Sequence, residues 1–211
     1  MVPPSTFGYD PALKSEMSTY DPARANALLD LYGYADRDGD GWRERPDGSP
    51  LVLQYHTDKA LREYNELWQR RMNALHLRIE FIPGRWTEQA KSARAGTLMI
   101  WFLSWNADAP DADPFLRLGY GPAIGGDNLS RFNLPAYNTL YERQSGLPDG
   151  PERQATITEA NRLLLAYLPM KAHVHRLQVT RSWPRRQGYR PHPFLRPFHA
   201  FVDVAPPTVS P

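Results

Sequence analysis

The stretch that most constrains this chain is residues 98–115, LMIWFLSWNADAPDADPF. Residues 98–103 are apolar without a break. A run this short, bounded by Gly96 and by the polar turn after Trp105, predicts a central strand buried on both faces. The chain then passes into small, acidic and proline residues. Asp113-Pro114 restarts a helix, with Asp113 as N-cap and Pro114 at the first helical position. In open α/β sheets, ligands bind beyond the carboxyl ends of the strands. Trp105, Asn106 and Asp108 fall at such an end, so this turn is the expected functional centre.

The flanking segments alternate between strand and helix patterns. Residues 51–55 read as a strand, and residues 60–75 as a helix with Leu61, Tyr64, Trp68, Met72 and Leu75 on one face. In residues 77–82, apolar Leu77, Ile79 and Phe81 alternate with Arg78 and Glu80, as in a half-buried strand. Residues 86–95 form a short helix closed by Gly96. Earlier, Asp21-Pro22 opens a helix with Ala25, Leu28, Leu29 and Tyr32 as its apolar stripe and Gly33 at its end. Later, Pro135 and Gly150-Pro151 open two more, and residues 170–180 read as a strand. The glycines of residues 119–128 lack dinucleotide-loop spacing and read as a plain mobile loop. This order predicts an α/β fold with a mixed, largely parallel sheet flanked by helices.

Composition narrows the function. The 211 residues carry a formal net charge of +2, which imposes neither a nucleic-acid nor a membrane partner. There is no cysteine, which removes disulfides and thiol chemistry and fits a cytosolic or a bridge-free periplasmic protein. No apolar run approaches the roughly 20 residues of a membrane helix, and residues 1–11 lack a signal-peptide pattern. No nucleophile elbow, P-loop or H-E-x-x-H motif occurs. The chain reads as a binding protein, not an enzyme.

Four candidates carry chemistry. Asp36, Asp38 and Asp40 with Gly41 match the start of a calcium loop, D-x-D-x-D-G, and Asp47 stands at position twelve, where the pattern wants a bidentate Glu. The competing reading is an Asp/Gly-rich turn whose carboxylates bond nearby backbone N–H groups. His173 and His175 would share a strand face, but no third ligand accompanies them, which favours packing or exposure over a metal. Residues 160–202 hold no acidic residue and interleave arginines with aromatics and prolines. A nucleic-acid surface could use such a tail, yet a solvated or docking surface fits its prolines better. Asp108 is the sharpest candidate. It has no local duty as turn or cap residue, unlike Asp111 and Asp113, and it follows the aromatic Trp105. A carboxylate in a dry pocket favours an ammonium partner, and an indole adds cation–π attraction. A carboxylate capping a local turn is the alternative.

The ordered blocks YDPARANALLDLYGY, DRDGDGWRERPDGSPLVLQ, LWQRRMNALHLRIEF, LSWNADAPDADPFL, NLSRFNLPAYNTLYE, LPDGPERQATITEANRLLLAYLP and HVHR resemble the carboxyl-terminal half of the family 5 extracellular solute-binding proteins. These are dipeptide- and oligopeptide-binding receptors of ABC importers. The resemblance runs from about residue 8 to residue 204. It implies one lobe of a periplasmic-binding-protein-like fold, a periplasmic or extracellular location, and an ABC permease as partner. It places the ammonium-binding Trp-x-x-Asp turn on Trp105 and Asp108, with Asn106 and Ala107 facing the ligand backbone. It also implies a missing amino-terminal lobe. The expected division is a hinge segment at residues 1–20, a solute-binding lobe at 21–180 and a tail at 181–211 returning toward that lobe. The expected ligand is a peptide or other small solute, with calcium the single candidate cofactor. A stand-alone interaction or calcium-binding module is the alternative function, and a nucleic-acid binder using the arginine tail the next.

Overall fold

Tyr64, Trp68 and Met72 recur at helical spacing between two segments that alternate, and the chain there folds as strand, helix, strand. In the computed structural model, which describes residues 2–15, 17, 19–106, 109–174, 179, 181, 186–187 and 203–204, β1 spans Val52–Thr57, α2 Arg62–Asn73 and β2 Arg78–Pro83. α1 precedes them at Pro22–Leu31, where the Asp21 carboxylate accepts from the Arg24 N–H at 2.9 Å. β1 and β2 pair in parallel, from Val52 opposite Arg78 to Thr57 opposite Pro83. The buried Tyr55 ring lies between Trp68 and Phe81, with centroids 5.7 and 5.5 Å away. Burial, with Tyr64 nearby, pushes its phenol well above the ordinary tyrosine range.

α3 spans Trp86–Ala95 and stops at Gly96, whose φ of 74° is the left-handed cap that glycine takes readily. β3, Ile100–Trp101, then pairs in parallel with β1, giving the order β2-β1-β3. The α/β class therefore holds, with helices flanking a small parallel sheet, and β4 (Arg186–Gln187) and β5 (Asp203–Val204) pair antiparallel.

Three local expectations are corrected. The central strand is β1, because residues 98–103 contribute two paired residues, β1 is β3's single strand neighbour among the described residues, and Met99 remains 49% exposed. Within residues 119–128, the fully buried Asn128 amide donates to the Tyr120 and Phe132 carbonyls at 2.9 and 2.7 Å, which pins the segment expected to be a loose loop. Residues 170–174 form no strand, and of residues 175–180 only 179 is described.

The contacts divide the chain into two compact units, one gathering residues 1–13, 105–116 and 139–211, the other residues 14–104 and 117–138. The first holds α4 (Asp113–Leu116), most of α5 (Pro135–Ser145) and α6 (Pro151–Tyr167). Pro151 starts α6 because a first-turn residue needs no N–H acceptor. Ile157, Ala160 and Leu164 of α6 are fully buried. Gly8, at φ +91°, packs so tightly on Ala112 and Ile157 that a β-carbon there would stand 2.8 Å from each.

Candidate functional site

The apolar run that feeds β3 ends at the acidic turn, and Trp105 follows β3 by four residues in the chain. Its ring is half-buried, its indole N–H is buried, and among the described residues no group accepts from it. A buried donor left without a partner costs about 1–3 kcal/mol. Asn106 is exposed beside it. Ala107 and Asp108, the remaining two residues of the expected ligand turn, lie outside the described residues.

The chain leaving this turn is held firmly. The Phe7 N–H donates to the Pro110 carbonyl at 2.9 Å. Asp111 accepts a two-pronged pair of bonds from Arg153 at 2.7 and 2.9 Å, while its Oδ1 also accepts from the Asp113 N–H at 2.7 Å. Burial pushes the Asp111 carboxyl up, but the Arg153 bonds, the Asp113 amide and the Arg153 charge outweigh it and hold it below the usual range. Bonding to Asp111 raises Arg153 in turn, against desolvation and with help from Asp149. Asp111 thus serves the first helical amide, and the expected cap Asp113 does something else. Its carboxylate accepts from Gln144 Nε2 at 2.8 Å, Ser145 Oγ at 3.2 Å and the Tyr141 hydroxyl at 3.3 Å, tying α4 to the end of α5. The reason is burial: Gln144 is fully buried and needs that acceptor, while the first helical amide is already served by Asp111.

The acidic loop closes on itself. Oxygens of Asp36, Asp38, Asp40 and Glu44 lie within 4.8 Å of one another. Asp36 accepts from the Gly39 and Gly41 amides at 2.7 and 2.8 Å, Asp38 from Asp40 N at 3.1 Å, Asp40 from Trp42 N at 2.9 Å, and Glu44 from Arg37 N at 2.7 Å. Arg78 also pairs with Asp40. Asp47 stands apart from this group. Its Oδ1 accepts from Ser49 N at 3.0 Å and Ser49 Oγ at 2.7 Å, and those bonds lower its carboxyl. Glu44, at position nine of the loop, takes the place expected for Asp47; position nine is often a calcium ligand, and the spacing could have flagged it. The backbone bonds are those of the Asp/Gly-rich turn. His173 is exposed, and His175 is outside the described residues.

Sequence reasoning missed two polar hubs. Gln89 of α3 donates to the Thr57 and Ile82 carbonyls at 3.1 and 3.2 Å and accepts from Trp101 Nε1 at 3.0 Å, joining the ends of β1, β2 and β3. Arg153 is the other; Asp149 at i,i+4 is a local pair, but its bonds to Asp111, 42 residues away in sequence, have no local signal.

Comparison with known proteins follows the same pattern. The description of bacterial extracellular solute-binding proteins, family 5 (middle), matches residues 1–127. A dipeptide-binding protein of Pseudomonas aeruginosa is 26% identical over 205 residues, which is 97% of this chain and 37% of that protein. The di/tripeptide-binding protein 2 of another strain of P. aeruginosa is 28% identical over 197 residues, 90% of this chain and 35% of its own length. This chain therefore spans little more than a third of these curated relatives. In structure, it is similar to the oligopeptide-binding protein AppA of Bacillus subtilis in complex with a nonapeptide, with a TM-score of 0.78, 15% identity, and coverage of 97% of this chain and 41% of that one.

Proposed function

The chain belongs to the bacterial extracellular solute-binding proteins of family 5, and from that premise we propose that it forms one side of the solute cleft of an ABC-importer receptor, with a peptide as the solute. The family consists of binding proteins, not enzymes. In this reading Asp108 holds the peptide's α-ammonium group, Trp105 supplies a ring face and a hydrogen-bond donor, and Asn106 and Ala107 lie along the peptide backbone. A first lobe and a permease complete the system, outside the cytoplasm.

The observation that carries the reading is the Trp105 indole N–H, buried and without an acceptor among the described residues, in the turn where the family match and the ligand pattern coincide. Peptide carbonyls would supply the acceptor. One lobe provides only half a cleft, so water remains around the charge pair. At about 4 Å in water such a pair gains roughly 1 kcal/mol, and this chain alone should bind at about millimolar strength or weaker.

The test is a titration of the chain with Ala-Ala and with N-acetyl-Ala-Ala, following the Trp105 indole N–H resonance. The free dipeptide should shift it weakly and in a salt-sensitive manner, and acetylation or Asp108→Asn should remove the shift. Equal response to both peptides would overturn the ammonium assignment. Tight calorimetric binding by the isolated chain would overturn the half-cleft argument.

A further inference from the structure

Arg153 is an arginine whose every donor is used. Its side chain is 9% exposed. Nε donates to the Gln144 carbonyl at 3.1 Å, Nη1 to Asp111 Oδ2 at 2.7 Å and Asp149 Oδ1 at 2.6 Å, and Nη2 to Asp111 Oδ1 at 2.9 Å and Gln144 Oε1 at 3.0 Å. These bonds exhaust the five N–H groups of a guanidinium. The cation also lies 5.2 Å from the centre of the Phe7 ring. Phe7 in turn donates its N–H to Pro110. So the stretch at residues 110 and 111 is gripped twice: Phe7, from the amino-terminal segment, donates to the Pro110 carbonyl, and Arg153, from the first turn of α6, holds the Asp111 carboxylate.

We infer that Arg153 is a positioning residue for the solute turn: through Asp111 it fixes the exit of the segment that presents Trp105, so that the indole meets a solute in one geometry. This deepens the function proposed above and rests on it for its solute. A buried ion pair is weak evidence of stability for its own sake, because desolvation offsets much of the attraction. A planar fork with five acceptors instead fixes direction, which a lysine at the same place could not do. Among the described residues, no contact of Arg153 reaches Trp105 or Asn106, so its effect on them passes along the chain from Asp111.

The test uses the full chain and three versions of it: unaltered, Arg153→Lys, and Arg43→Lys as a control. Arg43 is also a well-buried arginine, bonding to Asn26, Asp30 and the carbonyls of Tyr34 and Leu75, and it belongs to the other unit. Amide hydrogen exchange at Trp105 and Asn106 is read without solute, and the Ala-Ala titration of the Trp105 indole is read with it. Arg153→Lys should speed exchange at those amides and weaken the dipeptide, each about fivefold, in the middle of the range for a residue that modulates a site it does not touch. Arg43→Lys should lower the melting temperature while leaving both readouts in place. If Arg153→Lys fails to fold, Asp111→Asn breaks the same pair from the other side and is read in the same way. Exchange and affinity that move no more than in the Arg43→Lys control would overturn the inference. If the unaltered chain gives no dipeptide response but exchange responds to Arg153→Lys, the peptide reading fails and the positioning role stands.

Discussion

Gly8 offers a test in which the size and the sign of an effect are both set by geometry. Replacing it with alanine places a β-carbon 2.8 Å from Ala112 Cβ, 2.8 Å from Ile157 Cγ2 and 3.2 Å from Ile157 Cδ1, at a φ of +91°. The backbone conformation costs an L-residue about 1–2 kcal/mol. Forcing extra volume into a packed site costs about 1–3 kcal/mol. The stiffer unfolded chain returns roughly 0.4–1 kcal/mol. The net loss is about 3 kcal/mol, a large part of the ~5–15 kcal/mol by which domains are stable. With a urea slope of ~2–3 kcal/mol per molar, the unfolding midpoint should fall by about 1–1.5 M, read by circular dichroism. Gly150→Ala is the matched control. Nothing lies within 4 Å of its added carbon and its backbone is extended, so its midpoint should stay or rise slightly. Combining Gly8→Ala with Ile157→Ala should cost less than the two changes added, because one removes the atoms that the other meets. A Gly8→Ala midpoint within error of the unaltered chain would refute the packing argument.

Other expectations concern the polar hubs. Gln89→Leu leaves the Trp101 indole without its acceptor and takes one donor from each of the Ile82 and Thr57 carbonyls, the latter keeping the Gly84 N–H, and should lower stability by about 1–3 kcal/mol in denaturant unfolding. Asp36→Ala removes the acceptor of the Gly39 and Gly41 amides and should cost about 1–2 kcal/mol. A calcium titration followed by melting temperature should leave the unaltered chain unmoved, whereas a rise abolished by Asp36→Ala would establish an ion in the loop. Asp111 is held below its reference value of 3.8. Its contribution is therefore complete above about pH 3.8 and is lost as pH falls through its lower folded value. Acid unfolding should be less steep in Asp111→Asn than in the unaltered chain.

Much of this molecule is written in short-range pattern. Asp21-Pro22, Gly96 and Gly150-Pro151 announce helix ends because capping and φ preference depend on adjacent residues alone. The stripe of Tyr64, Trp68 and Met72 gives the helix beneath the sheet for the same reason. The ordered blocks carried the family. What lay beyond reach was every choice among distant partners. An apolar run announces a strand but not its place in the sheet, so residues 98–103 looked central while β1 took that position. Asp113-Pro114 looked like a cap, because the buried Gln144 that claims the carboxylate lies 31 residues away. Arg153 stood four residues from Asp149, but its pairing with Asp111, 42 residues away, carried no local mark. Local sequence selects conformations because it acts on the backbone within a few residues; tertiary structure decides which buried donor meets which acceptor, because only the folded chain brings them within 3 Å and removes the water that would otherwise serve both.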